Sequence, residues 1–371
     1  MARIWIDCLM GKEYATFFTL LRAGLWERDL DDFSSFPLSS EGWEKVFVLA
    51  RRQTVTGIVF RGMQYLPDAL FPQGTALMRW VAAVDAIERR NRQMDRVLGR
   101  LYAMFGDEGI RPVLQKGQGV ARFYECPSMR ECGDIDLYFP DPEMAAAALR
   151  CVEGRGIAVR RMPDGSHCYR VDGVCVEQHA RLADLYDPFQ YRRLKAMEKG
   201  WRDVLLPGTG TSVTVPSPLM DLLLLDTHIL KHVLGWGIGL RQFCDMARAC
   251  FMLRDEEDVR DMKRVSARLG LRRWNEVLFA FLTGYLGLPE RYLPYVPERA
   301  VPADSLFGIV MRGGNFGHYV EGRGSVSGPV WRRKWNTSRS FLRNMEFACR
   351  YAPRETFWLC AGLLRGNLSE G

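Results

Sequence analysis

A short apolar segment at residues 133–139 carries two aspartates at alternate positions, and it restricts the fold more than any other part of this 371-residue chain. Asp134 and Asp136 alternate with Ile135 and Leu137. Because successive side chains of a strand point to opposite faces, both carboxylates are predicted to share one face. Like charges this close repel each other unless a cation lies between them. Since Mg²⁺ prefers carboxylate and phosphate oxygens, the pattern indicates a metal–nucleotide site.

The residues before this strand strengthen the interpretation, because a D-x-D pattern also occurs by chance and on solvated strand edges. Residues 111–115 predict a short strand, followed by a turn with Lys116 and Gly117 and by the start of a helix. A lysine in such a turn can offer its ammonium, and the turn its N–H groups, to phosphate oxygens. Arg130 adds a planar set of donors four residues before Asp134. The simpler alternative is that Lys116 and Arg130 only neutralise the aspartates; the combination favours a site.

The order of these motifs resembles a known family. Residues 114–117 (Leu-Gln-Lys-Gly), a short helix, and residues 129–137 with Gly133 before the D-x-D pair are similar to the uncharacterised nucleotidyltransferase family of the polymerase-β-type superfamily. A more distant similarity extends to the nucleotidyltransferases of abortive-infection toxin systems. The resemblance implies an α+β fold with a polymerase-β-like mixed sheet, in which two strands supply three carboxylates to two metal ions. The superfamily more often has Gly-Ser where this chain has Lys116 and Gly117.

A hairpin after the D-x-D strand offers the third carboxylate. Two predicted strands are joined by an Asp-Gly turn at residues 172–173, and the returning strand covers residues 174–179. Cys175, Glu177 and His179 are predicted to share one face of that strand. The family has an acid followed two residues later by histidine at this place. The resemblance therefore implies that Glu177 is the third metal ligand and that His179 has a nearby polar role; the alternative is a solvent-facing hairpin residue.

Three carboxylates of this kind allow nucleotidyl transfer. Two divalent ions held by Asp134, Asp136 and Glu177 can stabilise the attacking oxygen and the leaving pyrophosphate of an in-line displacement. Positioning and charge neutralisation then carry the catalysis. We predict an enzyme dependent on Mg²⁺, or on Mn²⁺, that transfers an NMP from an NTP such as ATP to a small molecule, a protein or RNA. The alternative is a non-catalytic nucleotide- or partner-binding protein with the same fold.

Cationic residues from both halves of the chain complete the predicted site. The predicted nucleotide-binding residues are Lys116, Gly117, Arg130, Gly133, His179, Lys231 and Arg241. Lys116 and Arg130 are expected to contact the triphosphate. Lys231 and Arg241 belong to predicted helices that would form the opposite wall of a cleft, because pockets commonly form between such elements.

Two pairs of residues in these helices have simpler interpretations. His228 and His232 share a helix face, but the glutamate of a zinc-binding H-E-x-x-H motif is missing, so packing histidines are expected. Arg241 and Asp245, four residues apart, are expected to form an ion pair on the helix surface.

The composition is that of a large globular protein. Hydrophobic residues make up 47% of the chain, enough for a sizeable core and two or three domains. The net charge of +7 suits a phosphate-rich substrate but does not require nucleic acid. The ten cysteines form no C-x-x-C pair, so reduced thiols and a cytoplasmic location are expected. No apolar stretch reaches the length of about 18 residues that a membrane span needs.

Three domains are predicted from the helical and strand patterns. Residues 1–105 form an N-terminal helical domain whose longest helix covers about residues 75–105, residues 106–190 form the nucleotidyltransferase α/β core, and residues 191–371 form a mostly helical C-terminal domain. A basic amphipathic helix at residues 331–354 is expected to pack on this last domain with its charges exposed. The alternative is that it binds an anionic polymer or a membrane surface.

Overall fold

The structure of the protein, a computed structural model, describes residues 11–30, 32–235, 237–314 and 344–368. Residues 331–343 of the predicted basic helix lie outside the described residues, and the rest of that segment is helical at residues 344–351. None of the described helices has the length and the apolar content that a membrane span requires.

Helices make up most of the described chain, and their apolar stripes and caps follow from the sequence. The helices are α1 (Lys12–Trp26), α2 (Ser40–Arg52), α3 (Thr56–Met63), α4 (Gly74–Asp107), α5 (Gln118–Ala121), α6 (Pro142–Glu153), α7 (Pro188–Lys195), α8 (Pro218–Leu234), α9 (Leu240–Met252), α10 (Met262–Arg268), α11 (Arg272–Gly284), α12 (Asp304–Gly313), α13 (344–351) and α14 (Pro353–Leu368). In α4, Met94 and Leu98 are buried at helical spacing, and the predicted long helix is confirmed. Helix α8 begins where the Ser217 hydroxyl accepts from the Met220 N–H and Pro218 fixes the first turn.

The described strands form one mixed sheet. They are β1 (Val113–Leu114), β2 (Ile135–Tyr138), β3 (Arg160–Arg161), β4 (His167–Val171), β5 (Val174–His179), β6 (Arg202–Leu205) and β7 (Ser212–Val215). The seven strands lie in the order β3–β4–β5–β2–β1–β7–β6. Strand β2 pairs in parallel with β5 and antiparallel with β1, while β1 pairs in parallel with β7. This arrangement confirms the predicted mixed sheet and the predicted α+β class.

The register between β2 and β5 decides where the acidic residues lie. Asp136 is the partner of Glu177, and Tyr138 is the partner of His179. Because partners on adjacent strands point to the same face, Asp136 and Glu177 project from neighbouring positions. The face shared by Glu177 and His179, predicted from their spacing, is thus the face that also carries Asp136.

The two faces of the sheet have different surroundings. One face packs against α6 and the second half of α4, and side chains such as Phe105, Ile135 and Val176 form its hydrophobic core. The opposite face carries Asp136 and Glu177 and is covered by α8 and α9. Burial of one face therefore fixes the orientation of the polar residues on the other.

Strands β6 and β7 extend the sheet beyond residue 190, where the α/β core was expected to end. Val113 of β1 is the partner of Thr214 of β7, and Val213 and Val215 are buried in the core beneath the sheet. These strands are absent from the sequence predictions because segments of four residues carry too short a pattern to identify.

Helices from the two ends of the chain share one hydrophobic core. The ring of Phe18 in α1 lies 6.4 Å from that of Tyr285 and 5.7 Å from that of Phe307, measured between centroids. The indole of Trp26 donates to the Leu286 carbonyl at 2.6 Å. The helices before and after the sheet in sequence are therefore packed together in space.

Helix α3 joins this core to the loop that leads into β2. A Cβ atom at Gly62 would lie 1.9 Å from the carbonyl oxygen of Leu20, so α1 and α3 touch backbone to backbone. A Cβ atom at Gly57 would lie 2.0 Å from the carbonyl oxygen of Met129. Since Met129 immediately precedes Arg130, the position of α3 determines the position of that loop.

We expect Gly62→Ala to lower the free energy of unfolding by about 1–3 kcal/mol, because the added methyl forces the two helices apart. Urea unfolding measures the change. Gly106→Ala, in α4, is the matched control, since no heavy atom lies within 4 Å of its added Cβ. That substitution should instead stabilise the protein by about 0.5–1 kcal/mol. Equal effects at the two positions would contradict the close helix contact.

Candidate active site

A cleft of about 280 Å³ lies between the polar face of the sheet and helices α8 and α9. It is lined by every residue that the sequence predicts for the site: Lys116, Gly117, Arg130, Gly133, Asp134, Asp136, Glu177, His179, Lys231 and Arg241. The sheet contributes the acidic wall, and the helices contribute the facing wall. The fold thus brings together side chains that are more than a hundred residues apart in the chain.

Asp136 is the central acid of the cleft and is almost completely buried. Its carboxylate lies 3.2 Å from the Lys116 ammonium and 2.5 Å from Nε2 of His179. Burial alone would raise the pKa of Asp136, but Lys116 and the hydrogen bond with His179 lower it below the usual value. Asp136 is therefore ionised and neutralised by protein groups.

Glu177 lies next to Asp136 and extends the acidic wall toward the opening of the cleft. Its side chain is 33% exposed, and His179 Nε2 lies 3.7 Å from its carboxylate. Asp136, Glu177 and His179 offer ligand atoms that all lie within 4.8 Å of one another. Oxygen donors at this spacing, with an imidazole beside them, suit Mg²⁺ or Mn²⁺.

Asp134 adds a third acid, and the negative charges of its neighbours disfavour its ionised form. The charge of Asp136, together with burial and the charge of Glu177, raises the pKa of Asp134 to about 6. The cluster thus holds more negative charge than Lys116 balances, and a divalent cation would relieve the repulsion. The turn beside it needs glycine: Gly117 has a φ of +54°, and a Cβ there would lie 2.9 Å from the Asp134 carbonyl oxygen.

Asp184 is a further, half-buried acid in the cleft, and sequence reasoning missed it. It accepts from Lys231 Nζ at 2.7 Å and lies 3.4 Å from Nδ1 of His228. Burial opposes its charge, but His228 and Lys231 hold the pKa of Asp184 well below its usual range. Burial alone would lower the pKa of Lys116, but the negative charges of Asp136 and Asp184 outweigh burial and raise that pKa above its usual value. Asp184 follows β5 in a loop without periodicity, so no sequence pattern marks it.

His228 and His232 form part of the facing wall, with ring centroids 4.5 Å apart. Burial and the nearby Lys116 charge lower the pKa of His228 to about 4, so this imidazole is neutral. Within the described residues, neither histidine belongs to a group of three metal-ligand side chains. Their mutual packing agrees with the expectation of packing histidines.

Asp245 of α9 pairs with Arg130. The prediction of a helix ion pair between Arg241 and Asp245 is therefore wrong. Nε and Nη2 of Arg130 donate to the two oxygens of Asp245 at 2.7 and 2.6 Å. The Tyr124 hydroxyl donates to the same carboxylate at 2.8 Å, and Arg130 Nη1 contacts the Cys132 sulfur at 3.1 Å. Arg130 lines the cleft, but each of its three nitrogens already has a partner, so it fixes the loop before β2. Local spacing could not reveal a pair 115 residues apart.

Arg241 and Gln242, in the first turn of α9, face the cleft with unused hydrogen-bonding groups. Arg241 donates from Nη1 to the Glu131 carbonyl at 2.7 Å, and its Nε has no partner among the described residues. Gln242 is 3% exposed, and neither its amide oxygen nor its amide nitrogen has a partner within the described chain. Since a buried unpaired amide costs about 1–3 kcal/mol, these atoms are suited to a polar ligand.

Comparison with known proteins identifies the family of the chain. Residues 39–286, more than half of the chain, match the family described as "Uncharacterised nucleotidyltransferase". The chain belongs to this family. A solved structure of an antigenic nucleotidyltransferase-like protein from Paracoccidioides brasiliensis is similar at 14% identity, covering 53% of this chain and 92% of that one, with a TM-score of 0.32. No curated protein sequence matches the chain.

We expect Asp245→Ala to lower the free energy of unfolding by about 3–5 kcal/mol, because it leaves the buried Arg130 charge without its partner. Chemical denaturation followed by tryptophan fluorescence measures the loss. Asp85→Ala is the control, since Asp85 pairs with Arg89 on an exposed face of α4. Its cost should stay below about 1 kcal/mol. Comparable losses in the two variants would contradict a structural role for Arg130.

Proposed function

We propose that the protein transfers a nucleoside monophosphate from an NTP to an acceptor, with Mg²⁺ or Mn²⁺ bound by Asp134, Asp136 and Glu177. The observation that carries the proposal is the register of β2 and β5, which sets Asp136 beside Glu177 on one face. The donor set fits such ions, because it consists of carboxylate oxygens whose mutual repulsion raises the pKa of Asp134. When bound, the ions would stabilise charge on the attacking and leaving oxygens.

The basic residues of the cleft are proposed to bind the triphosphate. Lys116 lies half-buried beside Asp136, and Lys231 lies across the cleft with about one third of its side chain exposed. Arg241, at the same wall, has an Nε without a partner among the described residues. Cations at these three positions would oppose the negative charge that develops on departing pyrophosphate. Arg130 contributes indirectly, by holding the loop that contains Gly133.

A second cavity of about 260 Å³ adjoins the cleft and is proposed to admit the acceptor. It shares His179, Asp184 and Lys231 with the cleft and continues past Arg181 and Tyr186. An acceptor hydroxyl, amine or phosphate entering there would meet the acidic wall from the side of β5. Both cavities lie between the sheet and the helices that follow it, where substrates commonly bind.

A nucleotide-binding protein without transfer activity is the second candidate, and one observation favours it. Asp136 already has an ion pair with Lys116 and a hydrogen bond with His179, so its charge has partners without a metal ion. In such a protein, NTP would bind to the basic residues with little dependence on Mg²⁺.

Calorimetric titration with each of the four NTPs, with Mg²⁺ or with a chelator, separates the two candidates. Incubation with α-labelled NTP and cell extract then detects label transferred to an acceptor. Transferase activity predicts Mg²⁺-dependent binding of at least one NTP and stable label on an acceptor. Binding that is independent of Mg²⁺, with no label transferred and no pyrophosphate released, would support the second candidate.

Asp136→Asn should abolish NMP transfer and weaken binding of Mg·NTP, because it removes the central carboxylate while keeping the side-chain shape. Label transfer and calorimetry measure the two effects, and circular dichroism checks that the fold persists. Asp172→Asn, at the turn of the β4–β5 hairpin, is the control. Asp172 has a φ of +47°, which asparagine tolerates, and its carboxylate pairs with exposed Arg100 outside the cleft. Unchanged turnover in Asp136→Asn would place the chemistry elsewhere.

Lys116→Ala should raise the KM for NTP by about tenfold or more, the effect of losing roughly 1.4 kcal/mol of phosphate binding. Steady-state kinetics over a range of NTP concentrations measure the change. Lys195→Ala, at an exposed position of α7, should leave KM unchanged. An equal KM for wild type and Lys116→Ala would mean that Lys116 serves only to neutralise Asp136.

A further inference from the structure

Two thiols lie beside Glu177 on the polar face of the β4–β5 hairpin. Cys168 is the partner of Glu177 across the hairpin, and Cys175 precedes Glu177 by two residues on the same strand. All three side chains therefore share one face. The two sulfur atoms lie 3.2 Å apart, and both cysteines are only half-buried. The two thiols have no part in the proposed transfer of a nucleotide.

We propose that Cys168, Cys175 and Glu177 form a binding site for a thiophilic divalent ion of the zinc class. Their ligand atoms all lie within 4.8 Å of one another. Two sulfurs on one tetrahedral zinc lie roughly 3.7 Å apart when each Zn–S bond is about 2.3 Å, so a small separation of the thiols accommodates the ion. Three protein ligands leave one position open to water.

The chemistry of the donors separates this site from the carboxylate cluster. Thiolate ligands select zinc-class ions, whereas carboxylate oxygens suit Mg²⁺ and Mn²⁺. Each thiol releases its proton to solvent when it binds the ion. Two arginines share this face: Arg160 is opposite Cys168 and Arg170 is opposite Cys175 in the register, and Arg170 donates to the Gly173 carbonyl at the hairpin turn. Neither arginine makes an ion pair within the described chain that would occupy the cluster.

Glu177 belongs to both groups of ligands, which couples the two sites. The group with Asp136 and His179 and the group with Cys168 and Cys175 each require its carboxylate. An ion bound to the thiols would draw the Glu177 carboxylate toward Cys168 and Cys175 and away from Asp136. If the proposed function holds, zinc binding at this site therefore inhibits nucleotidyl transfer.

Cobalt titration tests the site without any need for turnover. The full-length protein is reduced, stripped of metal with a chelator, and titrated with Co²⁺ while the sulfur-to-cobalt charge-transfer absorption is recorded. We expect saturation at one equivalent and displacement by Zn²⁺, whereas excess Mg²⁺ should weaken Co²⁺ binding only through competition for Glu177 and should not abolish the absorption at saturating Co²⁺. Absence of the absorption in the reduced wild type would overturn the proposal, whatever the outcome of the transfer assays.

Matched variants assign the absorption to these side chains. The double variant Cys168→Ser/Cys175→Ser should lose it, whereas Cys151→Ser, at a half-buried thiol of α6, should retain it. Glu177→Gln should keep a thiolate absorption but bind Co²⁺ more weakly. Melting temperatures check the folding of each variant, and the single Cys→Ala variants replace the double variant if it fails to fold. Persistence of the full absorption without both thiols would refute the site.

If the double variant retains Mg²⁺-dependent transfer, its response to Zn²⁺ tests the coupling through Glu177. Zinc at concentrations that saturate the cobalt-binding site should inhibit the wild type and leave the double variant unaffected. Equal inhibition of both proteins would show that zinc acts at another site.

Discussion

Repulsion among three carboxylates on one face of a sheet is the constraint on which the rest of the structure depends. Asp134, Asp136 and Glu177 are brought together by the parallel pairing of β2 with β5, and burial of the opposite face prevents either strand from turning over. The protein balances part of the charge with Lys116, and His179 makes a hydrogen bond with Asp136. The imbalance that remains at Asp134 explains why a divalent cation and an anionic substrate would enter together: each compensates the charge of the other.

One side of the cleft is supported by contacts between α9 and the loop before β2. Arg130, Asp245 and Tyr124 form a buried network there, and α3 contacts the same loop at Met129 through the glycine at position 57. Such a network is strong only when every member is paired, so it acts as a fixed support. Within the described part of the chain the opposite wall is less completely paired, since Gln242 and Arg241 have polar atoms without a hydrogen-bond partner there. Specificity for a base or an acceptor is expected to depend on that wall.

Local patterns were sufficient for the parts of the fold whose determinants lie close together in sequence. The D-x-D strand, the hairpin and helix α4 each follow from alternation or helical spacing, and the family resemblance pointed to Glu177. The features that local sequence patterns did not reveal share one physical property: each depends on a partner that is distant in the chain. The structural role of Arg130 depends on its ion pair with Asp245, and the place of Asp184 in the cleft depends on its ion pair with Lys231. Strands β6 and β7 pair locally as a hairpin, but their place in the sheet is set by the pairing of β7 with β1, about a hundred residues earlier.

The pairing of β1 with β7 has a consequence for the synthesis of the protein. Strand β1 can pair with β2 soon after residue 138 leaves the ribosome, but its other edge stays open until residue 214 has been made. An open edge offers unpaired N–H and C=O groups to other nascent chains. During this interval the half-finished sheet is exposed to aggregation, and chaperones or a slow rate of initiation would favour a high yield of folded protein.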